Sequence, residues 1–445
     1  MAGLNVLDAW CYGVHVAQLV RVDERRIAWE WTDDAVRQWG SDSRVVSHLL
    51  PVGQVPHPLA PKVFLDGYLP EGSARVDHGV EAGVEPDDTF GLVSVYGRDL
   101  AGALVVVPAG GPPEPDDPGY QPLTDDDVAD RLRHTGRRSG YDSYSSLPGV
   151  VPKVLLHRDG DQWFAPQRGA PSTWIVKRGS DEGPASDIVA TEVLSLRVAR
   201  RLGLTNVDAD VVELGGLRGI AVRRYDRAVQ PDGTVRRLHQ EDLAQAIGLN
   251  TDDPARKAQR GTATIPSWGH AAKVLAAGGA RLDQLFGFVV LNHLLGNTDL
   301  HAKNVSFVHP RSGGTALAPA YDIAMHLHST TVRRQVALQV NHKSAFDDIG
   351  WEDLVAEGHT WGLADTQCQT LATATVNQFR AALDAEQATD DHPGVCEAAW
   401  QTVRARAAEL SEQLAAAGAD VGQVDGVGSL RAGRPVRGHH RRGRS

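Results

Sequence analysis

The chain has 445 residues, of which 42% are hydrophobic and 23% charged, so it is long enough for two or three globular domains with a large core. Its net charge of −11 argues against sequence-independent binding of nucleic acid by the whole surface. No apolar segment reaches the roughly 18 residues of a membrane-spanning helix, and the N-terminus lacks a signal-peptide pattern, so we expect a cytoplasmic protein. The widely spaced Cys11, Cys368 and Cys396 favour ordinary packing roles over disulfides or a zinc site.

The first part of the chain predicts a small β-rich domain followed by a connecting segment. Short strands separated by turn residues are predicted within residues 4–31, and the domain continues through residues 64–75 and 90–108. The stretch that follows is rich in Pro, Gly and Asp, which is typical of linkers. We therefore place an N-terminal domain at 1–108 and a linker with its connecting segment at 109–140.

The remainder divides into a second strand-containing part, a helical part and a tail. Two extended segments, "SLPGVVPKVLLHRDG" and "STWIVKRGS", are predicted to be joined by a turn at "HRDGD". Residues 187–204 have the apolar spacing of an amphipathic helix and end in Leu-Gly, a glycine stop signal. We assign 141–237 to this part and 238–417 to a mainly helical part. The tail, 418–445, ends in a stretch with six arginines, which predicts disorder, with contact to nucleic acid or an acidic partner as the alternative.

The motif "LLGNTDLHAKNVS" places a polar loop directly after the apolar run "LFGFVVLNHLL". The run predicts a buried helix that stops at Gly296 and Asn297. In the loop, Asp299 precedes Asn304 by five residues. Phosphoryl-transfer enzymes use this spacing in catalytic loops, where Asp orients the attacking hydroxyl and Asn holds a metal. A polar turn that only caps the helix is the alternative.

Two further motifs supply partners for such a loop. Lys177 ends the apolar strand "WIVK" and can hold phosphates, with Glu192 on the next helix as its ion-pair partner. An ordinary surface lysine is the alternative. Asp322 lies 18 residues after Asn304, beyond a predicted hairpin at "HPRSGGTA", where it can share a magnesium ion with that asparagine. For Asp322 the alternative is a turn aspartate stabilised by its own backbone.

Two weaker signals accompany them. The segment "SLPGVVPK" ends in Lys153 but has one glycine, which is a poor signal for a phosphate-binding loop. His301 can hydrogen-bond Asp299 or a phosphate, with a structural histidine as the alternative. The order of loop, strand lysine, helix glutamate, Asp–Asn loop and metal aspartate is that of an α+β, protein-kinase-like fold.

These motifs resemble one family in particular. "GNTDLHAKN" followed by "LAPAYD" is similar to the signature of HipA-type serine/threonine kinases, the toxin half of bacterial toxin-antitoxin pairs. "SLPGVVPK", "WIVK", "TEVLSLRVARRLGL", "RRYDR" and "RLHQEDLAQAIGL" occur in the order of that family. "LPEGSAR" and "YGRDLAGAL" resemble its small N-terminal domain, so the resemblance extends to about residue 415. It implies a HipA-like fold with a β-rich N-terminal subdomain and a mainly helical C-terminal lobe.

The resemblance also implies roles for individual residues. Asp299 would be the catalytic aspartate, Asn304 and Asp322 would hold Mg²⁺, and Lys177 would contact the α and β phosphates of ATP. The loop that closes over ATP would consist of Pro148, Gly149, Val150, Val151, Pro152 and Lys153. The hinge beside the adenine would be Arg223, Arg224 and Tyr225, and the pocket would be completed by His301, Ala302, Lys303, Asn304 and Tyr321. Ser146 matches the serine that family members autophosphorylate, with Ser143 and Ser145 close by.

The chain departs from the family at a few of these positions. Pro148 removes a backbone donor and Val151 removes a polar side chain from the loop, and Arg223 stands where relatives can carry an acidic residue. Nucleotide affinity and adenine selectivity therefore follow less directly from the resemblance than the catalytic loop does.

The expected function is an ATP- and Mg²⁺-dependent serine/threonine kinase. As the resemblance implies, its acceptor would be a serine on a translation-related protein such as an aminoacyl-tRNA synthetase, and autophosphorylation would switch it off. A HipB-like DNA-binding antitoxin would be its partner, with nucleic acid contacted indirectly and no membrane involved. A small-molecule phosphotransferase and a catalytically weak corepressor scaffold are the alternatives.

Overall fold

The computed structural model describes residues 5–115, 119–134, 153–179, 187–250, 258, 266–389, 391–392 and 394–419. Three predicted features lie outside these residues: Ser146, the loop residues 148–152 and the tail from residue 420 onward. Across the described ranges, no helix combines the length and apolarity needed to cross a bilayer.

The N-terminal region contains a four-stranded antiparallel sheet in the order β3-β2-β1-β4. Its strands are β1 (Val6–Cys11), β2 (Val14–Arg21), β3 (Ile27–Trp31) and β4 (Leu104–Pro108). Helices α1 (Asp33–Trp39), α2 (Ala60–Asp66), α3 (Gly72–Ala82) and α4 (Thr89–Tyr96) lie between β3 and β4. The predicted sheet is present, and the segments 64–75 and 90–96 contribute helices that share its buried core.

A second sheet of six strands has the order β5-β7-β6-β8-β10-β9. Its strands are β5 (Gly119–Leu123), β6 (Lys153–Asp159), β7 (Gln162–Gln167), β8 (Trp174–Arg178), β9 (Ala209–Leu214) and β10 (Leu217–Arg223). The turn at "HRDGD" leads from β6 into β7, and β8 pairs with the other side of β6. The expectation that this turn joins β6 directly to "STWIVKRGS" was therefore wrong, because β7 intervenes.

Two helices flank this second sheet. Helix α5 (Asp125–His134) shares a small apolar core with it, so the predicted connecting segment ends in a strand and a helix of this unit. Helix α6 (Ile188–Arg201) packs its apolar residues into the larger core, and the chain leaves the helix at Gly203, where φ is +74°. The predicted helix and its glycine stop are confirmed, whereas burial extends around the helix and includes the polar Thr191, Glu192 and Ser195.

The C-terminal region is mainly helical. Its helices are α7 (Leu243–Ala246), α8 (Trp268–Ala277), α9 (Asp283–Leu295), α10 (Trp351–Thr360), α11 (Asp365–Gln387) and α12 (Glu397–Ala416). Short strands accompany them: β11 (Arg227–Val229), β12 (Val235–Arg237), β13 (His239–Asp242), β14 (Ser306–His309), β15 (Ala316–Leu317), β16 (Gln335–Val340) and β17 (Lys343–Ala345). Helix α9 is apolar around nearly its whole circumference because it packs between α11 and α12, and it ends at Gly296 in the left-handed region, as predicted.

A buried ionic cluster joins the N-terminal region to the second sheet. We call it the junction; it consists of Asp99, Arg224, Asp226 and Arg227, whose side chains are at most 3% exposed. Arg224 donates to both carboxylate oxygens of Asp226, at 3.0 and 2.8 Å, and Arg227 donates to Asp99 at 2.9 Å. Each carboxylate also accepts a backbone N–H, so the charges are paired and hydrogen-bonded. The junction fixes the N-terminal region against the segment that follows β10 of the second sheet.

Candidate active site

A chain of side-chain amides attaches the polar loop to the end of α9. Asn292 donates through Nδ2 to the carbonyl oxygen of Phe288 at 2.9 Å, and its Oδ1 accepts from Asn297 Nδ2 at 2.8 Å. The Oδ1 atom of Asn297 then accepts the backbone N–H of Asp299 at 3.1 Å. Asn292 and Asn297 are buried, whereas Asp299 is exposed, so a rigid support carries a carboxylate that faces solvent.

The same loop is closed on its other side by Asn304. Its Nδ2 donates to the backbone carbonyl of Asp299 at 2.9 Å across a short 3-10 turn, Ala302–Asn304. The backbone N–H of Thr298 donates to His326 Nδ1 at 3.1 Å, which ties the loop to the segment after Asp322. The five-residue spacing therefore allows the Asn304 side chain to bond to the backbone of Asp299 and close the loop.

Lys177 connects three elements of the cleft. It lies near the end of β8, and its Nζ donates to Glu192 of α6 at 2.8 Å and also to Asp322. The Lys177 and Glu192 side chains are 14% and 9% exposed. Burial alone would lower the pKa of Lys177, but the two carboxylates outweigh it and raise that pKa above its ordinary value. The ammonium therefore stays charged throughout the neutral range.

Asp322 occupies an uncommon backbone conformation. Its φ is +52°, in the left-handed region that non-glycine residues rarely adopt, and its side chain is 46% exposed. Desolvation raises the pKa of Asp322, but the nearby positive groups, the Lys177 ammonium foremost, together have the larger, opposite effect. The net pKa of Asp322 therefore lies below the ordinary value. A strained residue that presents an ionised carboxylate to a cleft is typical of functional sites.

Lys153 lies directly opposite Lys177 on the neighbouring strand. The two residues are Cα partners in the antiparallel pairing of β6 with β8, so their side chains project from the same face of the sheet. Burial and the neighbouring Lys177 ammonium lower the pKa of Lys153 to about 8. We call Lys153, Lys177, Glu192 and Asp322 the cleft cluster. Its two lysines provide two ammonium groups on one face of the sheet, and the carboxylates of Glu192 and Asp322 balance their charge.

A cavity brings most of the predicted site residues together. The predicted residues that line it are Lys153, Lys177, Glu192, Arg223, Arg224, Tyr225, Asp299, His301, Lys303, Asn304, Tyr321 and Asp322. Ala302 does not line the cavity and is fully buried beneath the loop. Apolar walls come from Ile175, Val207 and Val222. The cavity lining thus combines charged and apolar side chains.

One residue of the predicted hinge, Arg224, has its side chain buried in the junction. The guanidinium of Arg224 belongs to the buried junction, and its backbone N–H donates to the carbonyl of Thr173 at 2.9 Å. The ring of Tyr225 lies 5.8 Å from that of Tyr321, and the Tyr321 hydroxyl lies 2.6 Å from Ser306 Oγ. Tyr225 and Tyr321 therefore form part of a firm wall, whereas the side chain of Arg224 is committed to packing.

Several cavity residues were missed by the sequence reasoning. They are Gly67, Tyr68, Glu71 and Ala101 from the N-terminal region, together with Asp226, Gln240, Asp242, Gln245 and Ser306. Lys303 Nζ lies 2.9 Å from Glu71, so the N-terminal region contacts the loop that carries Asp299 and Asn304 directly. The motif "LPEGSAR" was noticed, but no local pattern indicates that its glutamate meets a lysine 232 positions later.

Asp242 is a buried carboxyl within this cavity. It is 5% exposed and caps α7 through a capping box, in which its side chain accepts the Gln245 N–H at 2.8 Å. Burial raises the pKa of Asp242 to about 6, although Lys303 opposes the shift. This carboxyl therefore titrates close to the physiological range.

Comparisons with known proteins identify similar chains. The family models of the HipA N-terminal domain and the HipA-like C-terminal domain match residues 7–107 and 145–383. The chain is 26% identical over 409 residues to "Putative kinase Y4dM" of Sinorhizobium fredii, covering 87% of this chain and 93% of that protein. It is 28% identical over 296 residues to the "Serine/threonine-protein kinase toxin HipA" of Shewanella oneidensis, covering 63% of this chain and 66% of the toxin.

A solved structure supports the fold. The HipA–HipB–operator DNA complex of Shewanella oneidensis MR-1 contains a chain that matches with a TM-score of 0.76 and 24% identity, covering 92% of this chain and 96% of that one. The α+β, HipA-like fold expected from the sequence is thereby confirmed. With family models matched across both regions, this chain belongs to the HipA family of kinases.

Proposed function

We propose that this protein is an ATP- and Mg²⁺-dependent serine/threonine protein kinase. The observation that carries the proposal is the cleft cluster, in which Lys177 contacts both Glu192 and Asp322 in the cavity lined by Asp299 and Asn304. Phosphoryl transfer depends on positioning and charge stabilisation more than on covalent chemistry by the protein. The cavity supplies groups for each of these tasks.

The two lysines would hold the phosphates of ATP. Lys177 is charged at neutral pH, and Lys153 is directly opposite it on the paired strand. Until phosphates enter, Lys177 is neutralised by Glu192 and Asp322, so nucleotide and carboxylates compete for the same ammonium. The apolar wall of Ile175, Val207 and Val222 would take the adenine, beside the backbone of Arg223.

A magnesium ion fits the oxygen donors that Asp322 and Asn304 contribute to the cavity lining. Asp322 offers a carboxylate that is 46% exposed, and Asn304 offers its amide oxygen because Nδ2 is already used on Asp299. Hard divalent cations prefer such oxygen ligands. When bound, the ion would neutralise negative charge on the phosphates.

Asp299 would orient the acceptor hydroxyl. Its carboxylate is exposed, while its backbone is fixed by Asn297 and Asn304, so the side chain can meet an incoming acceptor without rearrangement of the loop. A serine hydroxyl of a protein substrate would donate its proton toward this carboxylate as its oxygen bonds to the γ-phosphorus, while the bond from that phosphorus to the bridging oxygen breaks and ADP leaves. The proposed substrate is a translation-related protein such as an aminoacyl-tRNA synthetase.

The proposal includes a toxin role with an antitoxin partner. The Shewanella oneidensis HipA chain of like fold was solved with HipB and its operator DNA. By extension, a HipB-like DNA-binding protein would bind this chain, and nucleic acid would be contacted through that partner. The charge of −11 agrees with an indirect rather than a direct contact.

Transfer of labelled γ-phosphate from Mg-ATP to proteins of a bacterial lysate tests the activity. We expect labelled protein bands with the wild-type chain and their loss with Asp299→Ala, since general acid–base groups contribute about 10²- to 10⁴-fold to rate. Asp161→Asn is the matched control, because that carboxylate is fully exposed on the turn between β6 and β7. Label confined to small molecules would refute the protein-kinase proposal, and so would equal transfer by Asp299→Ala.

Self-inhibition through Ser146 is a further part of the proposal. A phosphate there would add about −1.5 to −2 charges and compete with ATP for Lys153. Incubation with Mg-ATP should add phosphate within residues 141–153 and reduce transfer with time, while Ser146→Ala should remain active. Peptide mapping by mass spectrometry decides it: sustained wild-type activity without phosphate in that segment contradicts self-inhibition.

A further inference from the structure

Three side chains of types that can ligate a metal meet outside the cavity described above. Asp187 and Cys396 occupy the N-cap positions of α6 and α12 without a side-chain capping bond, and His328 lies in the segment after Asp322. One donor atom from each lies within 4.8 Å of the others. The sequence favoured a packing role for Cys396, but its side chain is exposed rather than packed in the core.

Their contacts converge on one carboxylate oxygen. Asp187 Oδ2 lies 2.7 Å from His328 Nε2 and accepts a hydrogen bond from the Cys396 thiol at 3.3 Å. The Asp187 and His328 side chains are 14% and 7% exposed, so solvent reaches the group mainly at Cys396. The site is therefore formed by two largely buried ligands and one accessible thiol.

We infer that Asp187, His328 and Cys396 form a binding site for Zn²⁺. Thiolate, imidazole and carboxylate are the ligand types that Zn²⁺ takes in tetrahedral sites. Zn–ligand bonds of about 2.1 Å place tetrahedral donors roughly 3.4 Å apart. The donor of Asp187 lies 3.3 Å from that of Cys396 and 2.7 Å from that of His328, and all three donors lie within 4.8 Å of one another. With three protein ligands, water takes the fourth position on the exposed side.

Nε2 is the ring nitrogen of His328 that faces the group. It lies 2.7 Å from Asp187 Oδ2, while Nδ1 is buried and has no hydrogen-bond partner in the described part of the chain. Zn²⁺ would bind the lone pair of Nε2, with the ring proton on Nδ1. The Cys396 thiol would release its proton to solvent as the Zn–S bond forms.

The position of the site gives it a structural consequence. Asp187 precedes Glu192 by five positions on the same helical segment, and His328 follows Asp322 by six. Zn²⁺ would link these two segments to α12 and so restrain both carboxylates that contact Lys177. This site and its occupancy do not depend on the proposed kinase activity.

Titration of chelator-treated protein with Zn²⁺ alone, followed by calorimetry, tests the site. We expect one equivalent to bind with release of protons, and the affinity to fall at least about tenfold in Cys396→Ser and in His328→Gln. The matched control is His392→Gln, because His392 pairs with Glu386 at 3.1 Å in a similar contact that has no thiol. The control should bind as the wild type does.

Cobalt substitution gives a second readout that does not depend on affinity or activity. Co²⁺ bound at this site should show the charge-transfer absorption of a thiolate ligand, and Cys396→Ser should abolish that band. Absence of stoichiometric Zn²⁺ binding would overturn the inference. Binding that is unchanged in Cys396→Ser would overturn it as well, since the metal would then be held elsewhere.

Discussion

The junction and the cleft cluster each combine two cations with two carboxylates, yet they differ in cation type, exposure and backbone geometry. The junction uses arginines, and all four of its side chains are at most 3% exposed. The cleft cluster uses lysines, and its Asp322 is 46% exposed with φ at +52°. Arginine holds carboxylates through a fixed fork of donors, whereas lysine is a point charge whose pKa shifts readily. The junction is suited to a permanent structural role. The cleft cluster is suited to binding a ligand, because its lysines can exchange their carboxylate partners for groups of that ligand.

Loss of one junction carboxylate should have the largest effect on stability. In Asp99→Asn, Arg224 and Arg227 would share a single buried carboxylate, and we expect the free energy of unfolding to fall by about 3–5 kcal/mol. Urea denaturation followed by circular dichroism measures the change.

An exposed ion pair provides the control for that variant. Arg334 and Asp347 form a pair whose side chains are 49% and 57% exposed. Asp347→Asn should cost less than about 1 kcal/mol, because exposed pairs contribute little. If Asp99→Asn is no more destabilising than Asp347→Asn, the junction does not carry the structural role assigned to it.

The lysines of the cleft cluster should make nucleotide binding depend on pH. The pKa of Lys153 is about 8, and bound phosphates would raise it. ATP affinity is therefore highest below pH 8, where Lys153 is charged, and declines as pH rises through that value. We expect ATP affinity to weaken about tenfold between pH 7 and pH 9. Fluorescence titration of a nucleotide analogue at several pH values measures it.

Arginine at the same position sharpens the test. Lys153→Arg keeps its charge at every pH in this range, so its binding curve should be flat between pH 7 and pH 9. An equally steep decline in Lys153→Arg would assign the pH dependence to another group.

Substitution of Asp242 should change the free energy of unfolding by a smaller amount than substitution of Asp99 does. Its folded-state pKa of about 6 lies above the ordinary value of 3.8, so the native state binds the proton more tightly than the unfolded chain does. Asp242 therefore makes its full contribution to the free energy of unfolding below about pH 4, and this contribution is lost as pH rises through 6. Asp242→Asn keeps the helix cap and should be about 1 kcal/mol more stable than the wild type at pH 7.5.

Stability measured at two pH values checks this prediction. At pH 4.5 the difference between Asp242→Asn and the wild type should shrink, because the wild-type carboxyl is then mostly protonated in the folded state. A destabilised variant at pH 7.5 would show that the ionised carboxyl is stabilised by its surroundings, in particular by Lys303.

Local signals in the sequence predicted the parts of the site that short segments determine. The apolar run before Gly296 fixed α9 and its end, and the hairpin between Asn304 and Asp322 places two candidate metal ligands on neighbouring segments. Such features depend on periodicity and turn residues within a few positions of each other.

Features that depend on distant pairing were not predictable in the same way. Strand β7, with sequence "QWFAPQ", contains proline and glutamine, and it is a strand because β5 and β6 pair with it on both sides. Its partner β5 lies in a stretch that has the composition of a linker. The contact of Glu71 with Lys303 likewise arises from how the N-terminal region docks onto the rest of the chain.

The most direct test of the account is whether Asp322 couples Mg²⁺ to nucleotide binding. Calorimetry of ATP with the wild type should show affinity about tenfold or more higher with Mg²⁺ than with a chelator. Asp322→Asn should lose this difference while remaining folded, because asparagine accepts a positive φ and the position is half exposed. If Asp322→Asn keeps the wild-type dependence on Mg²⁺, or if it destabilises the fold as much as Asp99→Asn, the cleft cluster is not the exchangeable phosphate and metal site described for it.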